Sequence, residues 1–108
     1  MIFTIEELQD RIVPITRKYN IPAVYLFGSY ARNEAKDSSD VDILIDREGS
    51  SIHSMFDMGG LYSELTESIG KEVDLVTIQT LRQKSTQERT PWLVSNVEKD
   101  MVKIYEQK

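Results

Sequence analysis

Two short apolar runs, Ala23-Val24-Tyr25-Leu26-Phe27 and Val41-Asp42-Ile43-Leu44-Ile45, set what this chain can fold into. Each is rich in β-branched or aromatic residues and too short for a buried helix, so each reads as a strand. The segment between them opens with Gly28-Ser29, directly at the end of the first run. It closes with Asp40, directly ahead of the second. Along the second strand Val41, Ile43 and Ile45 fall on one face, and Asp40, Asp42, Leu44 and Asp46 on the other. The apolar face needs a covering layer, so helices must be found elsewhere in the chain.

Thr4 to Tyr19 supplies one. Thr4 and Glu7 have capping-box spacing, and Ile5, Leu8, Ile12 and Ile15 recur at helical intervals. Asn20 suits a left-handed helix end and Pro22 forbids continuation. Pro14 predicts a kink or break near residues 11–14. Ser29 to Ala35 reads as a short helix starting at the strand end. A second long helix starts at Ser54 and ends at Gly70, with Met58, Leu61, Tyr62, Leu65 and Ile69 as its apolar stripe. Gly59-Gly60 predicts an irregular beginning. Glu72 to Thr77 reads as a third strand and the next dozen residues as polar connection. A closing helix runs from Pro91 through Tyr105. The order helix, strand, short helix, strand, helix, strand, helix implies an α+β (α/β layered) fold, a small mixed sheet flanked by helices. With 108 residues, the expectation is one domain over residues 1–108.

A net charge of -5 argues against a general nucleic-acid binder. The absence of cysteine excludes disulfides and thiolate metal sites. No apolar run approaches the roughly 20 residues of a membrane helix, and the N-terminus lacks the basic start of a signal peptide. These features predict a soluble, cytoplasmic protein with no direct nucleic-acid or membrane binding.

Asp40 and Asp42 lie two apart on one strand face, so their carboxylates can converge on a cation; without one they repel. Magnesium suits such a pair, because it takes oxygen ligands and keeps water and phosphate in its shell. An exposed strand face dotted with aspartates is the simpler account of a lone D-x-D. Asp74 bears on that choice, since it interrupts the apolar strand Val73-Asp74-Leu75-Val76, where an unpaired acid is costly. If the two strands are neighbours, Asp74 becomes a third ligand and the site could hold two ions. Gly28 allows close backbone approach to phosphate, Ser29 adds a hydroxyl and helix N–H groups, and Arg32 falls on the same helical face. An ordinary helix start followed by a surface arginine is the alternative.

Gly28-Ser29-Tyr30-Ala31-Arg32 followed by Ser39-Asp40-Val41-Asp42-Ile43-Leu44-Ile45 resembles the signature of the DNA polymerase beta-like nucleotidyltransferases. In length the chain is similar to the minimal nucleotidyltransferase (MNT) proteins. The resemblance implies the nucleotidyltransferase fold, with Asp40, Asp42 and Asp74 as catalytic and metal ligands for Mg2+. It implies nucleotide binding by Gly28 and Ser29, to which the spacing adds Arg32, and transfer of AMP from ATP with loss of pyrophosphate. Asn33 stands where the family often has glycine, and asparagine tolerates the positive φ such a turn needs.

MNT proteins are similar to antitoxins that adenylylate a HEPN-domain ribonuclease toxin, so such a toxin is the expected partner. A chain this short has no room for an appended substrate domain. Two alternatives are a non-catalytic antitoxin acting by complex formation and a small-molecule, aminoglycoside-type transferase. His53 reads as a loop or cap residue, Met55, Phe56 and Met58 as core or partner surface, and Trp92 and Tyr105 as core, with an exposed docking patch as the alternative for some of these. Tyr30 reads as core or as a nucleotide neighbour.

Overall fold

The structure, a computed structural model, describes residues 2–107, with backbone only at 84–86. Helix α1 spans Ile5–Lys18, strand β1 Ala23–Phe27, helix α2 Gly28–Ala31 and strand β2 Val41–Asp46. Helix α3 covers Met55–Ile69 and strand β3 Val73–Thr77. Three helices follow, α4 (Ile78–Leu81), α5 (Lys84–Arg89) and α6 (Pro91–Asp100), before strand β4 (Val102–Glu106). The sheet order is β3-β2-β1-β4; β1 runs antiparallel to both β2 and β4, and β2 parallel to β3. The mixed sheet with flanking helices is the fold expected from the sequence.

The local signals explain most boundaries. Thr4 and Glu7 form the full capping box of α1, at 2.9 and 3.1 Å. Pro14 does not break α1, which runs unbroken through it. The carbonyl that Pro14 leaves without an amide belongs to Asp10, and both residues are exposed, so water can satisfy it. Ser54 caps α3, and Gly70 ends it in the left-handed region at φ 74°. The Gly59-Gly60 pair leaves α3 continuous. Asn20 and Asn33 both take positive φ, 57° and 59°, as their positions predict.

One face of the sheet packs Val24, Leu26, Val41, Ile43, Ile45 and Val73 against Leu8 and Ile12 of α1 and Leu61, Leu65 and Ile69 of α3. The opposite face carries a smaller cluster in which Phe27 and Leu44 meet Leu81 of α4 and Val97 of α6. Asp42 lies on this second face, two residues before Leu44.

Three further sequence expectations fail. The closing helix stops at Asp100, and Val102–Glu106 is an edge strand on β1 with an irregular register between Val24 and Tyr25. Val102 and Ile104 repeat with period two, and Met101 turns extended (φ -62°, ψ 137°), so strand pairing wins over helical continuation. The stretch read as polar connection holds two helices, α4 being capped by Thr77, whose hydroxyl accepts from the Thr80 amide at 3.0 Å. Trp92 is not core; it is 64% exposed. Tyr105, by contrast, packs on the main core.

Among the described residues, no helix is long and apolar enough to cross a membrane.

Candidate functional site

The site grows out of strand register. Pairing of Phe27 with Asp42 across β1 and β2 brings Gly28, the next residue, against the Asp42 side chain. Gly28 sits at φ 71°, and a Cβ built on it would overlap Asp42 Oδ2 and approach the carboxyl carbon to 3.0 Å. Glycine is therefore needed twice, for the backbone conformation and for the carboxylate packed on it. On the other side of β2, Asp42 is the register partner of Asp74 in parallel β3. Neighbouring strands lie about 4.8 Å apart, so the two acids stand side by side on one face. Asp40 precedes β2 in the turn that Ser39 closes, where Ser39 Oγ accepts from the Lys36 amide at 2.8 Å.

All three sequence-selected acids thus meet. Asp42 is half-buried, whereas Asp40 and Asp74 are exposed. Burial first, then Asp74 and Asp40, push the Asp42 carboxyl up from the ordinary aspartate value to about 6, against an opposing pull from Arg32. The Arg32 pull does not offset burial and the neighbouring acids, and negative charge clustered in this way favours a cation. The donors are hard carboxylate oxygens beside a half-buried strand end, which fits magnesium better than a soft metal. Among the described residues, no three such side chains are already drawn around one ion position. The arrangement is a cradle that a cation would have to draw together.

Helix α2 is one turn long, shorter than the sequence expectation of Ser29–Ala35, so its dipole is small. Its first turn has no side-chain cap, which leaves that role open at Gly28 and Ser29. Arg32 closes α2 and points elsewhere than the spacing suggests. Its Nη1 donates to Asp100 Oδ2 of α6 at 2.8 Å and its Nε to Glu34 Oε2 at 3.1 Å. The guanidinium still pulls on the Asp42 carboxyl, so it stands within electrostatic reach of the acids.

Tyr30 is buried core, and Lys71 Nζ donates to its hydroxyl at 3.0 Å. The same ammonium donates to the Asp37 carbonyl at 2.8 Å. Lys71 thereby ties α2 and the turn before Asp40 to the start of β3. Sequence reasoning missed both Lys71 and Asp100, and no local pattern marks either. His53 lies exposed ahead of α3, its amide donating to Asp57 Oδ2 at 2.9 Å.

Asp46 shares the face of Asp42 but serves the chain itself. Its Oδ1 accepts from the Glu48 amide at 3.0 Å and from Gln79 Nε2 at 2.7 Å. We expect Asp46→Ala to cost about 1–2 kcal/mol in chemical denaturation and to leave bound-metal affinity unchanged. A comparable loss of metal affinity would extend the acid cluster to Asp46.

A family model described as polymerase beta, nucleotidyltransferase matches residues 10–107. A Methanocaldococcus jannaschii protein, provisionally named protein adenylyltransferase MJ0435, is 44% identical over 78 residues, covering 71% of this chain and 81% of its own. Protein adenylyltransferase MntA of Thermococcus cleftensis is 34% identical over 85 residues, 75% and 84% of the two chains. Among solved structures, a toxin-antitoxin crystal structure with AMP-PNP superposes with a TM-score of 0.67 at 23% identity, over 93% of this chain and 74% of that one. A tri-AMPylated Shewanella oneidensis HEPN toxin in complex with its MNT antitoxin gives 0.64 at 18% identity, over 96% and 74%. The strand-end acids, the glycine packed on Asp42 and a match running through nearly the whole chain lead to one assignment: the chain belongs to the polymerase beta nucleotidyltransferase family, among its minimal members.

Proposed function

We propose that this chain transfers AMP from ATP to a protein acceptor, a HEPN-domain toxin, and thereby acts as its antitoxin. The observation that carries the reading is the register of Asp42 against Asp74, with Asp40 at the same strand end. In this reading Asp40, Asp42 and Asp74 hold Mg2+, as two ions, which would supply charge neutralisation for the phosphates and activation of the attacking oxygen. Gly28 and Ser29 hold the triphosphate through backbone N–H groups and the hydroxyl. Arg32 adds positive potential from its tether to Asp100. The acceptor hydroxyl releases its proton to solvent as its oxygen bonds to the α-phosphorus, while the α–β phosphoanhydride bond breaks and pyrophosphate leaves.

Support comes also from the two relatives above, both named protein adenylyltransferases. The test mixes the chain with a HEPN protein of the same organism, magnesium and ATP labelled on the α-phosphate. Label on the HEPN protein that disappears with EDTA is the expected result. Tight complex formation without label transfer would instead favour an antitoxin that acts by binding alone.

A further inference from the structure

Asp40 stands one residue ahead of β2 and is exposed, so its own place in the sheet does not hold it. The turn before it is closed on itself. The Ser39 amide donates to the Lys36 carbonyl at 2.9 Å, and the Lys36 amide to Ser39 Oγ at 2.8 Å. Lys71 and Glu72, in the link between α3 and β3, tie that turn to the body of the protein. After Asp40, the Val41 amide donates to the Glu72 carbonyl at 3.0 Å. Before it, the Lys71 ammonium donates to the Asp37 carbonyl at 2.8 Å. Two consecutive residues thus hold Asp40 at both flanks. Gly70, left-handed at φ 74°, turns the chain out of α3 just before them.

The same ammonium reaches the other half of the candidate site. It donates to the Tyr30 hydroxyl at 3.0 Å and stands 5.5 Å from the centre of that ring. Tyr30 is buried, lies in α2 and follows Ser29 directly, so its ring anchors the Gly28-Ser29 turn. An ammonium has three donors and can serve both oxygens at once. We infer that Lys71 is a positioning residue for nucleotidyl transfer, clamping the turn that carries Asp40 to the helix that carries Ser29. The inference rests on the transfer reading above. A cation in the cradle must draw Asp40 toward Asp42 and Asp74. A turn already held meets that ion without being ordered anew, and ordering backbone opposes binding. Lys71 acts through Asp40 and Ser29, not on the reacting atoms.

The experiment compares Lys71→Met, which keeps the stem and removes the ammonium, with Lys71→Arg, which keeps donors for both oxygens, in the full chain. Manganese ion alone is the probe of the metal site, followed by the paramagnetic resonance of the free ion. Amide exchange of the metal-free chain and label transfer from ATP to a HEPN protein of the same organism accompany it. For Lys71→Met we expect manganese affinity and kcat each to fall at least about tenfold, with acceptor KM within about twofold of wild type. Exchange should quicken at the Lys36 and Ser39 amides while β1 and β2 keep their protection. Lys71→Arg should stay within about threefold of wild type in manganese affinity. If Lys71→Met does not fold, Lys71→Gln takes its place under the same criteria. A folded variant with wild-type manganese affinity overturns the proposal. So does an equal loss in Lys71→Arg, or exchange that rises throughout the sheet, which makes Lys71 a residue of general stability. Wild type that binds no manganese overturns the clamp and the metal assignment together. If wild type binds manganese, the variant loses it and neither transfers label, the transfer reading fails while the clamp stands.

Discussion

Asp42→Asn is expected to abolish nucleotidyl transfer, by at least about 10³-fold, while making the metal-free protein more stable at neutral pH. The two effects have one origin. The folded protein holds the Asp42 carboxyl at about 6, above its ordinary value, because burial and the carboxylates of Asp74 and Asp40 disfavour its charge. Folding thus favours the protonated form. This stabilisation is fully present below the ordinary aspartate value and is lost as pH rises through about 6. The shift corresponds to about 3 kcal/mol at full strength, and solvent at a half-exposed strand end reduces it to about 1–2 kcal/mol. Asparagine removes the charge and keeps the shape. In EDTA at pH 7.5 the variant should melt about 5–10 °C above wild type, and the gap should close near pH 4. Magnesium should stabilise wild type and leave the variant unmoved. A variant that melts lower than wild type at pH 7.5 would show that Asp42 is bound into the fold by interactions other than this electrostatic strain.

Gly28→Ala should be nearly as damaging with the acids all present. The added methyl must sit in the volume of the Asp42 carboxylate, and alanine must accept φ 71°. The left-handed backbone alone costs about 1–2 kcal/mol. Displacing Asp42 then loosens the cradle that positions metal and phosphate, where a shift of about 1 Å can cost 10²-fold. The expected outcome is a stability loss of about 2–3 kcal/mol in urea and transfer reduced at least about 100-fold. Ser29→Ala serves as the comparison, since it removes one hydroxyl without touching Asp42. It should keep wild-type stability and lose about tenfold in ATP affinity. Equal activity of Gly28→Ala and wild type would refute the packing argument.

The two variants also show what could be read from sequence. Asp40 and Asp42 stood out by their spacing on one strand face and Asp74 because an acid inside an apolar run is costly. Gly28 was legible as a residue of unusual freedom, but its reason was only half visible. That Asp42 packs on it follows from the pairing of Phe27 with Asp42, which periodicity does not fix. Arg32 shows the same limit. Its spacing after Ser29 placed it toward phosphate, while its actual partner, Asp100, lies 68 positions on. Lys71 joins Tyr30 and Asp37 across 41 and 34 positions, and nothing around it in sequence announces the role. The helices α4 and α5 were hidden by their polar composition, with Thr77 and Thr80 the one local clue. Strand β4 was hidden because Val102, Ile104 and Tyr105 satisfy a helical stripe as well as an alternating one. The tie was broken by the vacant edge of β1, a tertiary fact.

That edge has a consequence for the order in which the molecule can assemble. Val24 pairs with Tyr105, and the Gln107 amide donates to the Pro22 carbonyl at 2.7 Å, so β1 depends on a segment made long after it. Until β4 emerges from the ribosome, β1 presents a row of unpaired amides and carbonyls and the strand that carries Gly28 lacks one of its two neighbours. Long-range pairing of this kind is slow to form. Synthesis itself therefore acts as a timer: β1, which leads directly into Gly28, gains its second neighbour only after translation of β4.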